Sequence, residues 1–147
     1  MKVVVAPERS FVPGSRRIVT IGGRSIGVFR VGDRFYGIRN RCPHQGGPLC
    51  LGRVLGDAVA EVPGEAQMST SVLLLACPWH GWEYDLATGQ SFMGASEPRA
   101  RSYAVGLEPG SSLVAELEGA RTERVPGPYL AETFDVFVED EYVVLQT

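Results

Sequence analysis

Two short, matched segments constrain this chain more than anything else in it: residues 41–47 (RCPHQGG) and residues 77–82 (CPWHGW). Each carries one cysteine and one histidine, Cys42 with His44 and Cys77 with His80. The 147-residue chain has only two histidines and three cysteines, so the two segments take both histidines and all but one cysteine. A C-x-H and a C-x-x-H knuckle together offer two thiolate and two imidazole donors, the set of a metal centre with two sulfur and two nitrogen ligands. The adjoining Gly46, Gly47, Gly81, Pro43 and Pro78 fit tight loops whose backbone N–H groups turn toward sulfur. Zinc is the rival metal, because two cysteines with two histidines form a common structural zinc set. Its usual spacing puts both cysteines on one knuckle and both histidines on the other, whereas here the types are mixed within each.

Read together, C-P-H-x-G-x-P-L and C-P-W-H-G-W-E-Y-D resemble the two-loop signature of the Rieske [2Fe–2S] family. The resemblance runs over residues 25–53 and 71–92 and is weaker beyond. It implies one [2Fe–2S] cluster per chain, with two cysteines on one iron and two histidines on the other. By position, Cys42 and Cys77 would bind the inner iron, and His44 and His80 the outer iron nearest solvent. The 32 residues between His44 and Cys77 exceed the family's usual gap, which places an insertion near 54–70.

Four neighbouring positions carry further implications of that resemblance. High-potential members of the family hold an extra cysteine in each loop, joined as a disulfide; those positions are Gly47 and Trp79 here. Such members also place a serine two residues after the second histidine, where this chain has Trp82. Tyr84 occupies the position of a tyrosine that can donate to a cysteine sulfur, or else fills the core as a strand aromatic. Without that serine and disulfide, the potential is expected low in the family range of about −150 to +300 mV. Cys50, which ends the first loop, is expected to be a small buried residue beside the cluster.

With 44% apolar and 21% charged residues, the chain can bury an ordinary core, and one domain over 1–147 is expected. The longest hydrophobic run, residues 72–77, is strand-sized and far short of the ~20 residues of a membrane span. Arg16-Arg17 is not followed by an apolar export segment and reads as an exposed pair on a strand edge. A cytoplasmic location is therefore expected, and Cys50, with no partner left, argues against a structural disulfide. Residues 1–53 carry a net +8 and residues 54–147 a net −11, but early and late strands of a β fold interleave in space. The overall charge of −3, with no clustered basic helix, excludes nucleic acid as a partner.

The pattern is all-β, with many Gly and Pro turns. The resemblance makes it a Rieske-like antiparallel β-sandwich with a small cluster-binding subdomain of two loops, 41–50 and 76–85, plus inserted connections at about 54–70 and 94–131. Strands are expected at 2–6, 17–21, 25–30, 35–39, 71–76, 82–85, 103–107, 133–138 and 142–146. Gly22-Gly23 and Gly32-Asp33 read as hairpin turns. Residues 111–119 read as a short helix capped by Ser111 or Ser112, or as a strand, and 120–130 as a long loop.

The ligand set implied by the resemblance fixes the charge of the centre. Two ferric ions, two sulfides and two thiolates sum to zero, so reduction gives −1. With both histidines assigned, none remains for the two-His, one-carboxylate iron site of an oxygenase or for a Ser-His-Asp triad. No P-loop or dinucleotide fingerprint is present. The expected function is one-electron transfer without a catalytic site, as the ferredoxin component of a multicomponent oxygenase. Its partners would be a flavin reductase as donor and a terminal oxygenase as acceptor, with no membrane partner. The alternatives are a Rieske-like small subunit of a larger reductase, or a zinc-binding structural module.

Overall fold

The computed structural model describes residues 1–60, 62–92, 99–119, 128 and 140–147. Strands β1 (Lys2–Pro7), β2 (Arg16–Ile21), β3 (Arg24–Val31) and β4 (Arg34–Arg39) come first, then β5 (Arg53–Ala60), β6 (Ala66–Ala76) and β7 (Glu83–Asp85). β8 (Ser102–Pro109), the helix α1 (Gly110–Gly119) and β9 (Glu141–Gln146) follow. Among the described residues the strands form a six-stranded sheet, in the order β1-β9-β8-β4-β3-β2, and a three-stranded sheet, β5-β6-β7. Every pairing is antiparallel. The expected all-β architecture is the one observed.

Local chemistry explains the hairpins. Gly22 and Gly23 join β2 to β3 with φ of +55° and +72°, the two positive angles that let a two-residue turn follow the strand twist. Arg17 is exposed on β2, an edge strand, as expected of the Arg pair. Arg16 is not free in the same way: its guanidinium is half-buried and bonds the backbone at the end of the first loop.

β3 separates two cores. Ile26 and Val28 face a cluster with Phe11, Val143 and Leu145 inside the large sheet. Phe29 faces the other way, into a cluster with Ile38, Leu49, Cys50, Leu75 and Tyr84 beneath the two loops. Fully burying each such side chain is worth ~1.5–3 kcal/mol. Gly27 also faces the second cluster, where a Cβ would lie 2.5 Å from Cys50 Sγ.

The segment 54–70 differs from a plain inserted connection. It is the outer part of the β5–β6 hairpin, paired from Arg53↔Ala76 to Ala60↔Ala66. The sequence reading takes 54–70 as an inserted connection and expects no strand at 53–60. In the structure the pairing passes from Gly56↔Leu73 to Asp57↔Ser69, so the extra residues, 70–72, lie on β6 and the two strands continue on either side of them. Residues 111–119 belong to a helix, which starts at Gly110, so Ser111 and Ser112 sit inside its first turn and do not cap it. The Gly110 N–H instead donates to the Asp140 carbonyl at 3.0 Å. The expected strand 133–138 lies outside the described residues, as does nearly all of the expected loop 120–130. No helix among the described residues is long and apolar enough to cross a membrane.

Candidate metal centre

The two knuckles fold into the same loop. In the first, the Cys42 N–H donates to Gly47 O at 2.8 Å and the Gly46 N–H to Cys42 O at 2.7 Å. In the second, the Cys77 N–H donates to Trp82 O at 2.8 Å and the Gly81 N–H to Cys77 O at 2.9 Å. Each loop turns on a glycine at the same place, Gly46 at φ +80° and Gly81 at φ +74°, angles that residues with a Cβ rarely adopt. The matching backbone presents both cysteines inward. Cys42 and Cys77 are 2% and 3% exposed, so both sulfurs sit beneath the loops, away from solvent.

The four predicted donors come together in pairs. The rings of His44 and His80 meet edge to face with centroids 4.8 Å apart. The thiol of Cys77 is pushed up by burial and by the neighbouring Cys42 thiol, while the backbone N–H groups of Trp79 and His80 act in the opposite direction. These amides are the donors to sulfur that the loop composition implied. Among the described residues, no point gathers three His, Cys, Asp or Glu donors around one ion.

The buried Nδ1 of His44 makes no hydrogen bond with the protein. An orphaned buried nitrogen is costly unless something fills the site. A metal ligand position accounts for it, and the two buried thiols supply the matching sulfur side. The residues present thus fit a cluster held by two Cys and two His.

All four neighbouring positions face the site. The Tyr84 hydroxyl lies 3.3 Å from Cys42 Sγ, with the residue fully buried. Burial first, then the Cys42 and Cys77 thiols, raise its pKa, so it stays protonated and can donate to a thiolate. Trp82 stacks on His44 with centroids 3.9 Å apart and planes 11° from parallel. Trp79 lies on Gly47, its Cδ2 2.8 Å from where a Cβ would stand. The two positions that carry a disulfide in high-potential relatives are therefore in contact here, by packing.

Two supports were missed in the sequence. Arg16 Nη1 donates to the Cys50 carbonyl at 2.8 Å and to the Gly52 carbonyl. Asn40 Oδ1 accepts the Cys50 N–H at 2.8 Å. Nothing in the spacing of either residue marks it, since the contacts cross from strand to loop. Cys50 is fully buried as expected, and burial pushes its thiol up to about 12.

Comparison with known proteins gives a family match. Residues 1–104 match the family model of the Rieske [2Fe–2S] domain. Ferredoxin CarAc of Metapseudomonas resinovorans is 31% identical over 99 residues, 67% of this chain and 73% of that protein. The solved ferredoxin of carbazole 1,9a-dioxygenase from Nocardioides aromaticivorans IC177 is 26% identical, with a TM-score of 0.54 over 71% of this chain and 88% of that one. A Mycobacterium tuberculosis chain proposed as an NADH-dependent nitrite reductase small subunit shares the fold at a TM-score of 0.62 and 13% identity, over 100% of this chain and 96% of that one.

Proposed function

Because this chain belongs to the Rieske [2Fe–2S] domain family, we propose that it is a one-electron carrier, the ferredoxin component of a multicomponent oxygenase system. It would take electrons from a flavin reductase and deliver them to a terminal oxygenase. The observation that carries this reading is the donor arrangement: two buried cysteines behind two facing histidines, with an unpartnered buried Nδ1 on His44. Ferredoxin CarAc and the ferredoxin of carbazole 1,9a-dioxygenase, both similar to this chain, support the carrier reading, and the second supports the oxygenase context.

When bound, the cluster supplies a site that accepts and releases one electron. Cys42 and Cys77 would hold the inner iron, and His44 and His80 the outer one. The chain's own groups do the rest. Tyr84 and the amides of Trp79 and His80 direct N–H and O–H dipoles at the sulfurs, which favours the more negative, reduced form. Trp82 fixes the plane of the His44 ring and shields one of its faces. His80 stays exposed and marks the side open to a partner. With both histidines engaged, none is left for a two-His, one-carboxylate iron site or a Ser-His-Asp triad.

A cytoplasmic setting suits three cysteines that are all free in the structure. The likeness over the whole chain to the nitrite reductase small-subunit fold favours a second reading, a subunit of a larger reductase. Size in solution separates them: a carrier runs as a small free protein, a subunit co-purifies with a large chain. The central test is composition. The purified protein should hold two irons and two acid-labile sulfides per chain, and replacing His44 or His80 should remove or alter the Rieske EPR signal. Stoichiometric zinc without iron would sink the reading.

A further inference from the structure

Within the two loops, residues 40–47 and 77–82, Arg41 is the only side chain besides the four ligands that carries a charge or could gain one near neutral pH. It is exposed, and its guanidinium folds over Gly46, with Cζ and Nη2 3.5 Å from where a Cβ on Gly46 would stand. The indole of Trp79 lies on the next residue, Gly47. Guanidinium and indole thus cover consecutive residues of one turn, the turn that bonds to the Cys42 backbone. Trp79 is 57% exposed, and its ring centroid lies 6.5 Å from that of His80. A partner seated on this turn is also seated beside His80.

The ion pairs found among the described residues do not include Arg41. The acidic residues Glu83 and Asp85 follow the second loop in β7, and Asp85 Oδ1 accepts the Ala87 and Thr88 N–H groups at 2.8 and 2.9 Å, which directs that oxygen to its own turn. A positive rim on a chain of net charge −3 is therefore a local feature that opposes the long-range field. Arg and Trp are also the side chains that most often dominate binding energy at interfaces. A carboxylate satisfies a guanidinium with two parallel hydrogen bonds, and an indole needs a flat apolar contact.

We infer that Arg41 and Trp79 form the docking point for a redox partner that brings a carboxylate to the guanidinium and an apolar surface to the indole. This rests on the electron-carrier reading above. It assigns the partner's contact patch an acidic character, although this chain is itself acidic overall.

Net charge and local charge predict opposite results, which makes the test decisive. The chain's two tryptophans, Trp79 and Trp82, both belong to the second loop, so their fluorescence reports the rim. In the holoprotein, iodide should quench them more strongly than caesium, each measured relative to a free tryptophan amide. The iodide excess should collapse in about 1 M salt, where the Debye length is ~3 Å. It should disappear in Arg41→Gln, invert in Arg41→Glu and survive in Arg41→Lys. Trp79→Phe identifies the reporting ring. In the second arm, the reduced protein gives one electron to hexacyanoferrate(III) or to hexaammineruthenium(III). Arg41→Gln should lower the rate with the anion about tenfold at low salt, relative to the rate with the cation. Caesium preference in the native protein, unchanged by Arg41→Gln, would overturn the inference. If neither oxidant reacts, the electron-carrier reading fails, and the quenching ratio still decides the sign of the rim.

Discussion

The indole of Trp82 lies over the imidazole of His44, 3.9 Å between centroids and within 11° of parallel. Such a stacked pair is worth ~0.5–1.5 kcal/mol beyond the area it buries. Trp82→Ala should therefore release the cluster to a chelator roughly two- to tenfold faster, read as bleaching of the visible absorbance, while Trp82→Phe stays near the native rate. Bleaching of Trp82→Ala at the native rate would show that the stack does not hold the ring. Trp82→Ser tests a second point, since a hydroxyl that reaches a sulfur should raise the potential.

Tyr84→Phe should lower the reduction potential. Its hydroxyl, 3.3 Å from Cys42 Sγ, bonds more strongly to the sulfur when the centre is more negative, so it favours the reduced form. A differential of ~1–2 kcal/mol corresponds to roughly 40–90 mV for one electron. Voltammetry of both proteins at one pH checks this, and an unchanged potential refutes the bond.

Arg16→Ala should destabilise the protein by ~1.5–3 kcal/mol, because two loop carbonyls, on Cys50 and Gly52, lose a charged donor. Arg16→Lys keeps the charge but not the fork, and should recover only part of the loss. Chemical denaturation gives the stabilities. A native-like Arg16→Ala would mean that Asn40 alone fixes the loop end.

Cys50 should resist alkylation in the folded protein at pH 8. Its thiol is fully buried, and burial pushes its pKa up from the ordinary 9.0 to about 12. The folded state therefore keeps this proton where the unfolded chain gives it up. Its contribution to stability is complete below about pH 9 and is lost as pH rises toward 12. Mass spectrometry after iodoacetamide should find Cys50 labelled only once the protein unfolds. Gly27→Ala, which sets a methyl 2.5 Å from Cys50 Sγ, should cost ~1–3 kcal/mol by overpacking.

The candidate centre could be read from the sequence because its proposed donors are rare residues at fixed local spacing. Cys42, His44, Cys77 and His80 lie within two short loops, and alternating apolar residues marked most strands near their observed ends. Tyr84 could be placed beside a sulfur or in the core, and it does both. What stayed hidden depends on contacts distant in sequence. Arg16 reaches Cys50 across 34 positions, and Trp79 meets Gly47 only once both loops are folded. The strand at 53–60 was hidden for a different reason: its partner β6 carries extra residues at 70–72, so the two strands do not pair residue for residue.

In the middle of β3, Ile26 and Val28 look into one core while Gly27 and Phe29 look into the other. An ordinary surface strand can slip in register and merely expose its apolar face. A slip of one residue here would press a branched side chain against the Cys50 sulfur and put a glycine where the opposite core needs Ile or Val, leaving a gap the size of that side chain. Sequence length within this strand is thus under tighter constraint than sequence identity. Conservative substitutions at 26 or 28 can be absorbed, but a single insertion or deletion misaligns the sandwich and the cluster support together.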